Sequence, residues 1–348
     1  MVYISTPMIP TASRQSVMQA QSQLAKAQQE LTSGTLADAG LTLGARAGRL
    51  VSLDGESTRL QAITDANTTA STRLNATATA LDALRTTATT FLSTLTSALS
   101  SGGSTTALAS AAGGNLSAMS SALNSSVSGD YIFGGINTGA APIAIYASTP
   151  PSAAKQAVDT AFQASFGTSQ TSSAAASIDA GGMQGFLDTN FAALFSGSAY
   201  VGTWSSASDQ TTTSTIGPGQ VAATSVSANA EPFRQLAQAY TMVTEFAGQN
   251  LSAGATASVL RSAIALVTGA VTGLTTLQAG VGITQSAITS SNSGMAAQMT
   301  LLSNESSTLN GVDAYALTTK VSSLQTQIEA SYELTAKLQQ MSLVNYLA

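Results

Sequence analysis

Apolar residues recur at steps of three and four along the first and last thirds of the chain. Counted from Leu53 as position a of a heptad, Leu53, Leu60, Asn67, Leu74, Leu81, Ala88 and Leu95 fall at a, and Glu56, Ile63, Ala70, Thr77, Leu84, Phe91 and Ala98 at d. Such spacing lays side chains along one stripe of an α-helix. A continuous helix of about 48 residues would be roughly 70 Å long at about 1.5 Å per residue. That exceeds a compact domain of this size, so the pattern predicts a helix lying along partner helices. Asn67 breaks the stripe in one of two ways: as a buried polar group that fixes register at a cost in stability, or as a solvated interruption.

Shorter stripes flank this one. Val17, Ala20, Leu24, Ala27 and Leu31 predict a helix over residues 11–33 ended by Gly34, with residues 35–48 as an irregular connection. Beyond Gly102-Gly103, Leu108, Leu116, Met119 and Leu123 predict a helix from Thr105 to about Ser126. Glu231-Pro232 opens a helix faced by Phe233, Leu236, Tyr240, Val243 and Phe246. A further helical stretch holds Leu260, Ile264, Val267, Val271 and Leu274. The last runs from about Ile283 to Tyr346, with Ile288, Met295, Leu302 and Leu309 spaced by heptads. Its stripe shifts by one residue at Asn310-Gly311 and continues as Leu317, Val321, Leu324, Ile328, Leu334, Leu338 and Met341.

Between these ends the character changes. Tyr131-Ile132-Phe133 reads as a short strand between the turns Ser128-Gly129-Asp130 and Gly134-Gly135. Alternation over Ala199–Ser205 and Gln210–Ile216, then Gly217-Pro218-Gly219, predicts strands and a hairpin, with helices near Ala153–Phe166 and Met183–Phe195. The expected fold is mainly α with a β-containing insert. Long N- and C-terminal helices pack as an antiparallel coiled-coil stalk, and a central α+β domain projects from it. The expected divisions are 1–136 and 229–348 for the two halves of the stalk and 137–228 for the insert.

Composition narrows the function. Only 8% of the 348 residues are charged, against roughly 25% in ordinary soluble domains. A surface of small uncharged polar residues suits a protein that packs against copies of itself or its relatives. The net charge of −5 is thinly spread, and the largest basic group, Arg46, Arg49 and Arg59, is offset by Asp54 and Glu56, which argues against nucleic-acid binding. Without Cys or His there are no disulfides, no thiolate or imidazole metal ligands and no histidine base. No G-x-S-x-G or P-loop pattern is present. No catalytic, cofactor-binding or metal residue is therefore expected. Residues 1–15 lack a basic segment followed by an apolar one, so no cleaved signal peptide is expected. Arg261, Gln278 and four glycines interrupt the apolar stretch 259–288, which argues against a membrane span. Gly269-x-x-x-Gly273 is the sole support for a membrane-active translocator, and in a water-soluble helix it marks close packing.

Three segments carry a family likeness. Ile4-Ser5-Thr6 with Gln28-Gln29-Glu30-Leu31-Thr32-Ser33-Gly34 resembles the N-terminal helix of flagellins and hook-associated proteins. Residues Ser128 to Thr138, reading SGDYIFGGINT, resemble the G-x-Y-[IL]-F-x-G-x-x-T segment of the hook-filament junction type, hook-associated protein 3. Residues Leu324 to Leu347 are similar to the tail of that type. The departure is Thr35-Leu36-Ala37-Asp38, where many members carry a basic run and a Pro-Ser-Asp-Asp-like turn.

The resemblance implies a structural component of the flagellum, with flagellin itself as the alternative. It implies export by the flagellar type III apparatus and an extracellular location. Implied partners are further copies in a ring, another hook-associated protein on the hook side, flagellin on the filament side and a cytoplasmic export chaperone on a terminal helix; no nucleic acid and no membrane are expected. Val17, Leu24, Leu31, Leu324, Ile328, Leu334, Leu338 and Met341 are the residues expected to carry assembly, unless they only pack the chain's own core.

Overall fold

The computed structural model describes residues 8–347, with side-chain surroundings over 13–337. The chain forms two compact units, one of residues 1–61 and 295–348, the other of residues 62–294.

In the first unit the terminal helices α1 (Met8–Ser33) and α10 (Ala314–Leu347) pair. Gly34 ends α1 in the left-handed region at φ +70°, its N–H donating to Glu30 O at 2.9 Å. The connection expected to be irregular contains a short helix α2 (Ala39–Leu43), because Asp38 Oδ1 accepts from Leu41 N at 2.9 Å and caps it. A 3-10 turn over Gly44–Arg46 leads into the long helix α3 (Ala47–Ser101). Leu50, Leu53 and Leu60 are buried here, and Arg49 pairs with Glu305 of α9 (Ala253–Asn310).

The sequence placed one helical stretch around Leu260 to Leu274 and another over about 283–346, and the structure divides them differently. One helix of 58 residues, α9, runs straight through Gly269, Gly273, Gly280 and Gly282, and the break comes at residues 311–313. Glycine weakens a helix without ending it, whereas at 311–313 the backbone leaves the helix to pair elsewhere. Thr35 and Gly311 form an antiparallel bridge, Leu36 N donates to Asn310 O at 2.9 Å, and Val312 N donates to Gly34 O at 3.3 Å. A Cβ at Gly311 would overlap Ser307 O. Asp313 Oδ1 then caps α10 by accepting from Tyr315 N at 2.9 Å.

The second unit holds a single large core. All seven a positions of the α3 heptads are buried; within this unit they are Asn67, Leu74, Leu81, Ala88 and Leu95, joined by Ala70, Thr77, Leu84 and Phe91 at d. Asn67 is fully buried, not solvated: its Nδ2 donates to Ile216 O at 2.8 Å and to Asn292 Oδ1 at 2.7 Å. Gln285 and Asn75 meet at 2.7 Å, so α9 runs antiparallel to α3. Against this pair lie α4 (Thr105–Leu123), which ends before the expected Ser126, and α8 (Glu231–Met242), which continues as a π-turn over Val243–Ala247. Phe91 meets Tyr240 edge-on at 5.3 Å. Gly273 passes so close to Pro232 that a Cβ there would overlap its ring, which is the close packing expected of a Gly-x-x-x-Gly face.

The segment 137–228 shares this core. The strand expected over Tyr131–Phe133 is instead β2 (Asp130–Tyr131), paired in a hairpin with β1 (Ser126–Val127) that turns through Ser128 and Gly129 at positive φ. Ile132 and Phe133 are buried beyond it, Phe133 edge-on to Phe233 at 5.7 Å. Helix α5 (Ala153–Phe166) falls where the sequence placed it, and α6 (Ala180–Phe186) passes into a π-turn over Leu187–Phe191. The strand expected over 199–205 is instead part of a helix, α7 (Gly197–Thr203). Its buried residues, Tyr200 and then Trp204, are four apart, a helical spacing that outweighs the weak alternation around them. Strands β3 (Thr213–Gly217) and β4 (Gln220–Ala223) form the second hairpin.

One polar network lies inside this unit. Glu245, 7% exposed in the π-turn, accepts from Tyr146 OH at 2.8 Å and Gln170 Nε2 at 3.2 Å, and pairs with Lys155 Nζ at 3.2 Å. Burial opposes the charge on Lys155, but the hydrogen bond to Asp159 and the field of Glu245 outweigh it and raise its pKa. Burial, then the charge of Glu245, pushes the Tyr146 phenol up. Both folded values lie above the unfolded ones, so the stability these groups contribute is present below about pH 10 and is lost as pH rises through their folded range.

Two measurements check this description. Asn67→Ala leaves Ile216 O and Asn292 Oδ1 without their donor, and should cost about 1–3 kcal/mol in urea unfolding followed by fluorescence of Trp204, the chain's single tryptophan. The thermal midpoint should fall as pH is raised above about 10, and less steeply in Tyr146→Phe, which has no phenol to ionise.

Candidate assembly surface

The terminal helices have a narrow apolar face. Antiparallel register is fixed by Ser13 Oγ and Thr335 Oγ1 at 3.1 Å, and by Gln21 Nε2 donating to Tyr332 OH at 2.9 Å. The core between them is Ala20, Leu324 and Ile328, with Leu24 half-buried against it. Val17, Ala27 and Leu317 are also buried. Glu30 is buried at the end of α1, where its Oε1 accepts from Ala37 N at 3.2 Å and ties the connection back to the helix. A sequence stripe does not reveal such a carboxylate, because its partner is a backbone N–H in a loop.

The expected assembly residues divide into three groups. Val17, Leu324 and Ile328 are buried against the chain itself, with Leu24 at the edge. Leu31 is 37% exposed and Leu334 56% exposed, so neither belongs to the seam. Leu334 stands six residues after Ile328, a step that leaves the stripe of threes and fours. Leu338 and Met341 lie in α10 but beyond the residues whose side chains are described.

Other large apolar side chains stand open around the same helices. Met18, Tyr315 and Tyr332 are exposed on α1 and α10, and Leu41 and Val51 on α2 and α3. None was singled out from the sequence. The available signal was a large apolar residue off the stripe, as Met18 is beside Val17. Scattered exposed apolar residues are ordinary on a monomer, and others, Ile136, Val221, Ile283 and Leu301 among them, stand exposed elsewhere on the chain.

Nothing comparable in chemistry accompanies it. Among the described residues no group of three or more Asp or Glu side chains could hold a metal ion. A cleft of about 580 Å³ beside α5 is lined by Lys155, Asp159, Gln163 and Gln170. Its charged groups are already engaged with one another and with Glu245. Helix α9 is long and apolar enough to cross a membrane, but Val259, Ala263, Val267, Ala270 and Leu274 are buried in the core of residues 62–294.

Comparison with known proteins agrees with this picture of long paired ends. Residues 4–138 match the family model of the bacterial flagellin N-terminal helical region, and residues 264–347 that of the bacterial flagellin C-terminal helical region. No curated protein matches the chain. The two matched regions together take in more than half of the chain, and they include the terminal helices: the protein belongs to the flagellin family, structural proteins that self-associate in the extracellular bacterial flagellum.

Proposed function

We propose that this chain is a junction subunit of the flagellum, of the hook-associated protein 3 type, placed as a ring between another hook-associated protein and the first flagellin subunits. In this reading it is exported by the flagellar type III apparatus without a cleaved signal peptide, and a chaperone holds a terminal helix beforehand. The observation that carries the reading is the segment Gly129 to Thr138. Each of its characteristic residues has a structural task. Gly129 takes φ +91°, Tyr131 N donates to Thr138 O at 2.9 Å, and Phe133 is fully buried. A side chain at Gly135 would overlap Ser208 O and Gln210 O. A filament flagellin is the second reading, favoured by the flagellin descriptions of both matched regions.

Assembly would work through the terminal helices in two ways. Leu324 and Ile328 hold α10 on α1, and Leu31 and Leu334 meet neighbouring subunits. Leu338 and Met341 extend the same helix.

One genetic experiment tests both the role and the residues. A strain lacking the chain should build finished hooks without filaments and shed flagellin into the medium; filaments of normal length would overturn the junction reading. Complementation should succeed with the wild type and fail with Leu334→Asp, although that variant leaves the unfolding of the free chain unchanged, since the side chain is exposed. Normal filaments with Leu334→Asp would remove Leu334 from the interface.

A further inference from the structure

The sequence contains one Asn-Gly dipeptide, Asn310-Gly311, and it lies at the point where α9 breaks. A glycine after asparagine leaves the following backbone nitrogen unshielded and free to adopt conformations closed to other residues. That nitrogen can attack the asparagine side chain. A bond forms between Gly311 N and Asn310 Cγ, the bond from Cγ to the side-chain nitrogen breaks, and ammonia leaves with the proton from Gly311 N. The resulting cyclic imide is opened by water at either carbonyl, giving aspartate or isoaspartate. Water is the sole co-reactant, and nothing is oxidised or reduced.

In the folded chain this attack is blocked. Gly311 N is committed to Ser307 O at 2.7 Å, directed back along the helix. The peptide on either side is held as well: Asn310 O accepts from Leu36 N at 2.9 Å, and Val312 N donates to Gly34 O at 3.3 Å. Asn310 Oδ1 is buried and accepts no hydrogen bond among the described residues, so no side-chain contact fixes this amide as one fixes the two Asn-Ser sites. Asn124 is held by Ile143 through paired bonds of 2.8 and 2.9 Å, and Asn292 Oδ1 accepts from Asn67 at 2.7 Å. Protection at Asn310 thus comes from the last turn of α9, which holds Gly311 N, and from the bridge that pins the peptides on either side of it to residues 34–36.

We propose that Asn310 is a site of spontaneous deamidation that the Thr35–Gly311 bridge shuts off, so that the modification accumulates on chains whose terminal helices are open. Isoaspartate lengthens the backbone by one carbon and moves the Gly311 amide out of line with Thr35, so it cannot restore the bridge; aspartate keeps the backbone but places a charge where Asn310 Oδ1 is buried without a partner.

The test follows conversion of the Asn310 amide to acid by peptide mass spectrometry, with the full chain held at mildly alkaline pH in buffer and in urea. Conversion should be more than about tenfold slower in buffer, the protection that an opening free energy of about 1.4 kcal/mol provides. Leu324→Asp, which removes one of the side chains closing the α1–α10 seam, should bring the rate in buffer towards the rate in urea while Asn124 and Asn292 stay unconverted. Asn310→Gln should abolish the signal in urea. Equal rates for the wild type in buffer and urea, or no acceleration by Leu324→Asp, would overturn the proposal.

Discussion

Among the described residues a narrow seam centred on Ala20, Leu24, Leu324 and Ile328, with Val17, Ala27 and Leu317 also buried, has to hold a helix of 26 residues against one of 34. Ordering a backbone costs roughly 1–2 kcal/mol per residue, and a buried Leu or Ile returns about 1.5–3 kcal/mol. Most helical residues on this pair bury nothing, so the seam alone cannot hold it. Two devices add to the seam. The ends are closed by the bridge at Thr35 and Gly311, with Glu30 and Asp313 satisfying backbone groups that the helix ends leave bare. In the proposed reading the remaining requirement is met by association, and Met18, Leu31, Tyr332 and Leu334 stand exposed on this pair.

Residues 62–294 are built on the opposite plan. Trp204, Tyr200, Phe162, Phe191 and Phe246 are fully buried in one core that also takes in the inner faces of α3, α4, α8 and α9. Asn67 imposes a cost at the centre of the α3 stripe and offsets it with two hydrogen bonds, one to a strand of the hairpin and one to α9. Slipping α9 by a turn would take Asn292 away and leave that amide with Ile216 O alone, so the group favours one register as polar residues do at a positions of coiled coils. The π-turn after α8 does something similar for the insert by turning Glu245 towards Tyr146, Lys155 and Gln170.

The long helices were legible in the sequence because a heptad stripe is a repeated signal, and every a position from Leu53 to Leu95 is buried as the stripe requires. The hairpin at Gly217-Pro218-Gly219 and α5 were legible for local reasons, turn residues in one case and a compact amphipathic run in the other. What escaped was set by tertiary contacts. Alternation over residues 199–205 suggested a strand, yet Tyr200 and Trp204 needed the same side. The glycines of α9 suggested interruption, yet at Gly273 the lack of a side chain is what admits Pro232. On the terminal helices the stripe identified the buried seam and not the exposed apolar side chains, because residues off the stripe, such as Met18 and Tyr315, carry no periodic signal.

Hydrogen exchange along the free chain tests the central claim, that the terminal pair is completed by association. Amides in residues 8–33 and 314–347 should exchange orders of magnitude faster than those of α4, α8 and the buried stretch of α9, and should become protected when the protein is assembled. Uniform protection of both units in the free chain would contradict the account.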